Sequence, residues 1–290
     1  MKSELAISNS WKEFSLIDSG WGVRLEKWGE YTLVRPDPQA VWAKSSEPLW
    51  NKPDAVYHRS SSGGGEWKYH KELPESWIIS YKNMKFKVRP TGFKHTGIFP
   101  EQAANWDWIS KITRERKVSK TLNLFGYTGA ATIASALSGS SVCHVDASKG
   151  AVNWCKENSH LSSVPDGKIR LIVDDCLKFV QREERRGKKY DGIIMDPPAF
   201  GRGAGGEVWK LQNSLWELFN ACKSILSEKP SYILINSYTS GLSPLALHNI
   251  ASDCFGSLIR NGSLTCGEIG LPFRKGKYIM PCGIFCRILF

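Results

Sequence analysis

The chain has 290 residues, 41% of them hydrophobic, which is enough to bury a sizeable core. Lysine and arginine outnumber aspartate and glutamate 39 to 28, and the formal net charge of +11 favours acidic partners, nucleic acid first among them. The composition also excludes several classes. No stretch approaches the roughly 18 apolar residues of a membrane span, the polar N-terminus is not a signal peptide, and the eight dispersed cysteines form no C-x-x-C pair, which indicates a reducing, cytoplasmic location.

The first 95 residues are rich in Trp, Pro and Gly and contain short strand-like runs. "GVRLEKWGEYTLVRP" predicts two strands around a turn at Gly29, and "ESWIISYKNMKFKVRP" predicts a hairpin around Lys82 and Asn83. Between them, "RSSSGGGEW" predicts an exposed loop. We therefore predict a small β-rich, Trp-rich N-terminal region over residues 1–95.

Beyond this region, helix-like and strand-like runs alternate. "PEQAANWDWISKITRER" has helical spacing with Pro100 in its first turn, and it is followed by the strand-like runs TLNLF, SVCHVDA, IRLIVDD, DGIIMD and SYILIN. The helices between and after these runs are predicted to begin near Ala130, Lys149, Cys176 and Val208. This alternation predicts an α/β fold with a doubly wound, mainly parallel sheet over residues 96–290. The tail "KYIMPCGIFCRILF" predicts an antiparallel strand at one edge.

A predicted strand–turn–helix–strand stretch carries the first candidate binding residues. Gly126 and Gly129 follow the first strand of the sheet, where glycine permits a sharp turn and a close approach to a ligand. Asp146 ends the second strand, twenty residues after Gly126, where an acid can accept both hydroxyls of a ribose. Because G-Y-T-G-A-A lacks the G-x-G-x-x-G fingerprint for pyrophosphate, a nucleoside without phosphates fits better, and S-adenosylmethionine (SAM) is the common one. The alternative is an ordinary tight turn with a buried acid.

The third and fourth strands of the sheet also end in candidate site residues. "LIVDDC" places two aspartates, the second of them Asp175, where a side chain can meet the adenine amino group. "IIMDPPAF" places Asp196 before Pro197 and Pro198, which lack backbone donors and leave carbonyls to accept hydrogen bonds from an amino group of a target. Phe200 then offers a face on which a planar target can stack.

These motifs resemble those of the class I SAM-dependent methyltransferases, whose fold is Rossmann-like. The closer resemblance is to an uncharacterised subgroup of the bacterial ribosomal-RNA methyltransferase branch that carries F-x-Y-T-G, D-x-S and D-P-P-x-F, which read FGYTG, DAS and DPPAF here. The resemblance covers about residues 95–290, and "HTGIFPEQAANWDW" is similar to the segment that closes over the cofactor. It implies an enzyme that uses SAM and releases S-adenosylhomocysteine (SAH).

The resemblance also implies roles for individual residues. The turn from Gly126 to Gly129 would wrap the methionine end of SAM, Asp146 would bind the ribose and Asp175 the adenine. The implied cofactor-binding residues are Phe99, Gln102, Phe125, Gly126, Tyr127, Thr128, Gly129, Asp146, Ala147, Ser148, Asp175, Cys176 and Asp196. The implied catalytic residues are Asp196, Pro197, Pro198 and Phe200. No metal is expected, because the six histidines form no spaced cluster.

The sequence departs from part of this branch at Thr239. Members that methylate carbon 5 of cytosine carry a cysteine before S-G-L, because that carbon reacts only after a thiolate adds to the ring. Here "INSYTSGLS" has Thr239 at that place, and Cys222 and Cys254 fall in helix-like stretches typical of core residues. Direct transfer to a nitrogen needs only in-line placement and loss of a proton.

We therefore expect a cytoplasmic, monomeric SAM-dependent methyltransferase that acts on RNA, ribosomal RNA first, at a base nitrogen, without a metal or a membrane partner. Three alternatives stay open: a protein or small-molecule substrate, a cytosine-C5 reaction with a displaced cysteine, and a non-catalytic RNA-binding factor. A fourth, a nucleotide-dependent oxidoreductase, is disfavoured by the missing G-x-G-x-x-G, and NADH binding would favour it again. The glycine-rich run "FGRGAGGEVWKLQ" is expected to form a mobile loop over the target.

Overall fold

The computed structural model describes residues 3–45, 47–60, 64–202, 208–274 and 278–290. By its contacts the chain divides into two compact units. The first unit comprises Met1–Ala6, Asn105–Ile269 and Gly283–Phe290, and the second comprises Ile7–Ala104 and Gly270–Cys282. The boundary between residues 95 and 96 remains a prediction.

The described residues form strands and helices throughout both units. In chain order the strands are β1 (Glu4–Ile7), β2 (Phe14–Gly20), β3 (Val23–Trp28), β4 (Tyr31–Pro36), β5 (Ala55–Arg59), β6 (Gly65–Tyr69), β7 (Trp77–Tyr81), β8 (Met84–Val88), β9 (Lys120–Leu124), β10 (Ser141–Asp146), β11 (Ile169–Val173), β12 (Gly192–Met195), β13 (Phe200–Arg202), β14 (Val208–Lys210), β15 (Tyr232–Ser237), β16 (Ser263–Pro272) and β17 (Ile279–Leu289). The α-helices are α1 (Ala103–Glu115), α2 (Ala130–Leu137), α3 (Lys149–Leu161), α4 (Cys176–Arg185), α5 (Leu211–Ser224) and α6 (Pro244–Phe255). Short 3₁₀ helices lie at Glu47–Trp50, Pro100–Gln102 and Gly256–Leu258.

The first unit is built on an eight-stranded sheet with the order β1-β16-β17-β15-β12-β9-β10-β11. Strands β11, β10, β9, β12 and β15 pair in parallel, and the chain order reverses between β9 and β12. The predicted doubly wound, mainly parallel sheet is therefore confirmed, and its reversal point marks the edge where ligands bind in such folds. The tail strand β17 is antiparallel to β15, as predicted. The position predicted for this strand, at the edge of the sheet, was wrong, because β16 and β1 lie beyond it.

The central strands are apolar because helices cover both faces of the sheet. Every residue of β12 and β15 is buried. Along β12 the side chains alternate between two apolar clusters: Ile193 and Met195 pack with residues of α4, α5 and α6, whereas Ile194 packs with residues of α1. No described helix is long and apolar enough to cross a membrane.

Side-chain caps mark the starts of three helices of the first unit. Ser148 caps α3, Asp175 caps α4 and Ser243 caps α6, each accepting a hydrogen bond from a backbone N–H in the first turn. The starts predicted for α2, α3 and α4 are confirmed. The helix start predicted near Val208 was wrong, because residues Val208–Lys210 pair with β13 as β14 and α5 begins at Leu211.

The second unit holds a five-stranded sheet, β2-β3-β4-β5-β6, and the separate hairpin β7-β8. Both predicted hairpins are confirmed, with β3 and β4 meeting at Gly29 and β7 and β8 meeting at Lys82 and Asn83. The loop predicted at "RSSSGGGEW" was wrong at its ends, because Arg59 pairs with Gly65 in β5 and β6. Residues 61–63 of that run lie outside the described residues.

A buried ion cluster anchors the sheet of the second unit. The Glu26 carboxylate accepts hydrogen bonds from Arg35 Nε at 2.7 Å and Trp28 Nε1 at 2.9 Å, and Arg24 Nε lies 3.0 Å from its other oxygen. Burial raises the pKa of Glu26, but Arg24 and Arg35 together hold it below its ordinary value. The carboxylate therefore stays charged and paired inside the unit.

Candidate active site

The predicted site residues of the first unit lie at the carboxyl ends of its parallel strands. Leu124 is level with Val145 on one neighbouring strand and with Met195 on the other, and Asp146 is level with Val173. Parallel strands lie about 4.8 Å apart. The residues that leave these strand ends, namely Phe125, Asp146, Asp174 and Asp196, therefore form one row across the reversal point.

The Asp146 carboxylate ties two strand-end loops together. Its Oδ2 accepts a hydrogen bond from Tyr127 N–H at 2.8 Å, and its Oδ1 accepts one from Ser148 N–H at 2.8 Å. The Asp146 carbonyl accepts a further bond from Asp174 N–H at 3.1 Å. Burial raises the pKa of Asp146, and the two N–H donors oppose that rise. Each carboxylate oxygen retains a lone pair for a further donor.

The turn between β9 and α2 has a strained backbone. Phe125 has φ of 54° and Tyr127 has φ of 49°, a left-handed conformation that side chains with a Cβ rarely adopt. The Phe125 N–H donates to Cys176 Sγ at 3.2 Å, and the Tyr127 N–H donates to Asp146. These bonds hold the strained turn in place, and such strain is typical of functional sites.

Tight packing explains why the two glycines of this turn have no side chain. A Cβ on Gly126 would overlap the His144 ring and lie 3.2 Å from Asn123 Nδ2, and one on Gly129 would lie 2.9 Å from Cys155 Cβ. Gly129 also has φ of 89°. The sequence interpretation assigned these glycines to ligand approach, whereas the structure shows that they also admit a buried layer beneath the turn.

That buried layer is polar but uncharged. His144 Nδ1 lies 2.8 Å from Thr132 Oγ1 and 3.6 Å from Cys155 Sγ, and Asn123 Nδ2 donates to Thr132 Oγ1 at 2.8 Å. Burial lowers the pKa of His144 to about 4 and raises the pKa of Cys155 to about 12. The pair is therefore neutral near pH 7 and supports the turn without providing a thiolate.

Several predicted cofactor residues have structural partners. Asp175 Oδ1 accepts the Lys178 N–H at 2.9 Å and Ser148 Oγ accepts the Ala151 N–H at 3.2 Å, so both side chains cap helices. The Cys176 side chain is buried in the apolar cluster of the first unit. The Thr128 carbonyl accepts from Asn158 Nδ2 at 2.9 Å, and Ala147 is exposed beside Asp146.

Asp196 to Phe200 leave the end of β12 and enter a small hairpin. Trp209 of β14 is buried, and its Nε1–H donates to the Pro198 carbonyl at 2.6 Å. Its ring lies 5.2 Å from that of Phe125. The Pro198 carbonyl thus already accepts one hydrogen bond, and its second lone pair remains for a further donor. Phe200 is 53% exposed, as a stacking face requires, and residues 203–207 of the predicted mobile loop lie outside the described residues.

Trp209 and a buried amide network are functional candidates that the sequence interpretation missed. Asn236 is the penultimate residue of β15, which pairs with β12, and its Oδ1 accepts a hydrogen bond from Asn105 Nδ2 at 2.8 Å. Asn105 Oδ1 in turn accepts from Arg287 Nη2 at 2.8 Å, and burial lowers the pKa of Arg287 to about 10. An indole next to a D-P-P-x-F motif was the only sequence signal for Trp209.

Thr239 lies in the loop after β15. Its N–H donates to Ser237 Oγ at 3.3 Å, and its own Oγ1 is buried without a hydrogen-bond partner among the described residues. All eight cysteines fall within the described ranges, and none of them is exposed. Burial raises the pKa of Cys176 well above its ordinary value and raises that of Cys222.

Two predicted cofactor residues lie outside the first unit. Phe99 and Gln102 lie in the second unit, at the 3₁₀ helix Pro100–Gln102, and their contact with the cofactor remains a prediction. Across the described residues, no three His, Cys, Asp or Glu side chains are grouped to hold a metal ion.

Comparison with known proteins identifies the family. The sequence model described as S-adenosylmethionine-dependent methyltransferase matches residues 40–218. The chain belongs to the SAM-dependent methyltransferases. A crystal structure of the SAM-dependent methyltransferase from Agrobacterium tumefaciens is 36% identical with a TM-score of 0.94, over 100% of this chain and 94% of that one. The chain is thus a methyltransferase whose cofactor is SAM.

More distant relatives include proteins named as ribosomal-RNA methyltransferases and solved structures with the same fold. A Shewanella frigidimarina protein named ribosomal RNA large subunit methyltransferase K/L is 32% identical over 221 residues, which are 72% of this chain and 30% of that protein. The chain spans about a third of the length of the curated relatives it matches. A putative methyltransferase complexed with SAH shares the fold, at 19% identity and a TM-score of 0.77 over 97% of this chain and 76% of that one.

Replacing Gly126 with Ala should destabilise the methyltransferase and weaken SAH binding. The added methyl group would overlap the buried His144 ring, and such overpacking costs about 1–3 kcal/mol. Gly150→Ala is the matched control, because a Cβ there makes only a 3.8 Å contact with Ser148 Oγ and alanine favours the helix. Urea unfolding and calorimetry measure both effects, and equal behaviour of the two variants would contradict the packing role of Gly126.

Replacing Trp209 with Phe should slow methyl transfer roughly three- to tenfold, because the Pro198 carbonyl loses one hydrogen bond worth about 0.5–1.5 kcal/mol. SAH affinity should change less, since the ring beside Phe125 is retained. Trp216→Phe, at a half-exposed position of α5, is the control. A Trp209→Phe enzyme with the full transfer rate would show that this hydrogen bond does not position the D-P-P run.

Proposed function

We propose that this methyltransferase acts on RNA, with ribosomal RNA as the first substrate, and transfers the methyl group to a base nitrogen by direct displacement. The name of the Shewanella relative and the formal net charge of +11 support RNA as the substrate. We also propose a cytoplasmic location, where a ribosomal-RNA substrate would be found, and a monomer.

The cysteine environment is the observation that carries direct displacement. Methylation at carbon 5 of cytosine needs a thiolate within reach of the ring. Thr239 occupies the position of that cysteine, and none of the eight thiols in the described residues is exposed. A nitrogen acceptor carries its own lone pair and needs no covalent step, so the side chains at this sheet edge suffice.

The strand-end residues of the first unit fit SAM. The remaining lone pairs of Asp146 suit the two ribose hydroxyls, and the second oxygen of Asp175 suits the adenine amino group. Gly129 precedes α2 without a side-chain cap, so the first N–H groups of this helix suit the carboxylate of the methionine end. Phe125, Gly126, Tyr127 and Thr128 would form the wall of that pocket.

SAM supplies an electrophilic methyl group on its sulfonium. The chain's own part is to place the acceptor in line with that group. Asp196 and the Pro197 carbonyl would accept hydrogen bonds from the N–H of the target, which orients the nitrogen lone pair. Phe200 would stack on the target base, and the Asp196 carboxylate would stabilise the proton that the nitrogen must lose.

Replacing Asp146 with Ala should lower SAH affinity on the order of tenfold to a hundredfold, because charge-assisted hydrogen bonds contribute about 1.5–3 kcal/mol. Asp166→Ala removes an exposed aspartate from the turn before β11 and is the control. Titration calorimetry measures both affinities. Unchanged affinity in Asp146→Ala would remove the ribose assignment.

Labelling with tritiated SAM tests the substrate and the mechanism together. Total RNA and total protein from cells that lack this enzyme are incubated with the wild type, Asp196→Asn and Thr239→Ala. We expect label in ribosomal RNA, a large loss of transfer with near-normal SAH affinity for Asp196→Asn, and activity retained by Thr239→Ala.

Two outcomes would contradict this proposal. Label confined to protein or small molecules would exclude RNA as the substrate. A covalent adduct with RNA containing 5-fluorocytosine, lost on replacing one cysteine with Ala, would establish a thiolate mechanism instead.

A further inference from the structure

A basic segment without acidic residues follows the five-stranded sheet of the second unit. Between Glu75 and Glu101 the sequence contains no aspartate or glutamate, and it contains the basic residues Lys82, Lys85, Lys87, Arg89 and Lys94. Most of this charge lies on the hairpin β7-β8 and in the turn after it. The positive charge is thus concentrated on one short piece of the chain.

Strand geometry places this charge on one face of the hairpin. Met84, Phe86 and Val88 are buried, so Lys85 and Lys87 project from the opposite face of β8. On β7 the residues level with these lysines are Ser80 and the half-exposed Ile78. Alternate residues of a strand lie about 6.5–7 Å apart, close to the spacing of successive phosphates along an extended nucleic-acid strand. The Glu13 carboxylate also contacts β7, where it accepts the Ser80 N–H.

A groove of about 380 Å³ adjoins the end of β8. Tyr69, Glu75, Arg89, Thr91 and Gly92 line it, and its size falls within the ~300–1,000 Å³ of small-molecule clefts. Tyr69 is 52% exposed. The Arg89 Nη1 lies 3.6 Å from the Glu75 carboxylate, and both side chains reach solvent.

Hydrogen bonds hold the wall of this groove. Trp67 Nε1–H donates to the Thr91 carbonyl at 2.8 Å, and the Tyr57 hydroxyl donates to the Gly92 carbonyl at 3.4 Å. The Thr91 hydroxyl donates to the His95 carbonyl at 2.8 Å. The Arg89 N–H donates to the Thr96 carbonyl at 3.0 Å. The groove is therefore a built feature of the second unit.

We propose that the hairpin β7-β8 and the adjoining groove bind a single-stranded segment of RNA. One base stacks on Tyr69, the Arg89 guanidinium binds its phosphate, and Lys85 and Lys87 bind the phosphates that follow. The exposed Arg89–Glu75 pair is weak in water and exchanges readily for a phosphate. Charge complementarity and an exposed ring favour a single strand, whose bases are free to stack, over a duplex. This inference rests on the proposed function, since it names how the RNA substrate is held.

Fluorescence anisotropy of the full chain with a labelled, mixed-sequence single-stranded RNA tests the surface. Lys85→Ala/Lys87→Ala should weaken binding tenfold or more and lower the slope of log affinity against log salt by about 1.4, since each lost phosphate contact contributes roughly 0.7. Tyr69→Ala should weaken binding roughly tenfold and Tyr69→Phe much less. Glu75→Gln should strengthen it. Lys156→Ala/Lys229→Ala, which removes two exposed lysines of the first unit, should bind as the wild type does.

The same variants in the tritiated-SAM assay separate this inference from the proposed function. The hairpin variant should need more RNA for half-maximal transfer while its SAH affinity stays unchanged. If the wild type methylates RNA and the hairpin and Tyr69 variants bind and react like it, this surface is overturned and the proposed function stands. If the hairpin variant loses RNA binding but the wild type methylates no RNA, the surface stands and the proposed function fails. Equal competition by poly-glutamate would overturn RNA as the occupant.

Discussion

The candidate site depends on the two hydrogen bonds that the Asp146 carboxylate accepts from the backbone. The carboxylate accepts backbone N–H groups from two loops that leave neighbouring strands, at Tyr127 and at Ser148. Tyr127 has a positive φ, so its N–H points at the carboxylate only while the turn keeps a strained conformation. One side chain thus sets the shape of the glycine turn and the start of α3, and it presents its remaining lone pairs at the reversal point of the sheet.

The buried layer below the glycine turn and the hairpin beside it further restrict the conformation of this turn. Neutral His144 and Cys155 fill the space that side chains at Gly126 and Gly129 would need. Trp209 contacts Phe125 at one end of the turn and binds the Pro198 carbonyl beyond β12. The Trp209 indole therefore links the D-P-P run to the glycine turn that we propose as the SAM-binding turn.

The strand ends were predictable from sequence because their signals are local. Apolar runs followed by Gly or Asp predicted β9 to β12, and the helix-like runs that follow those strands predicted the starts of α2, α3 and α4. Pairing between distant segments was not predictable: β1 and β16 extend the sheet beyond β17, and Val208–Lys210 becomes a strand because it pairs with β13. For the same reason the partners of Trp209, His144 and Asn236 could not be read from their sequence neighbours. Residues such as Ser148 are ambiguous in sequence, because the same residue type suits a cofactor contact and a helix cap. In the structure the Ser148 side chain caps α3 and its N–H donates to Asp146.

A crystal structure of the protein with SAH would test the role of Asp146 most directly. The account predicts that both ribose hydroxyls donate to the Asp146 carboxylate within about 3 Å while the Tyr127 and Ser148 N–H bonds persist. Ribose hydroxyls bound by other groups, with Asp146 engaged only by the backbone, would show that this carboxylate shapes the turn but does not hold the cofactor.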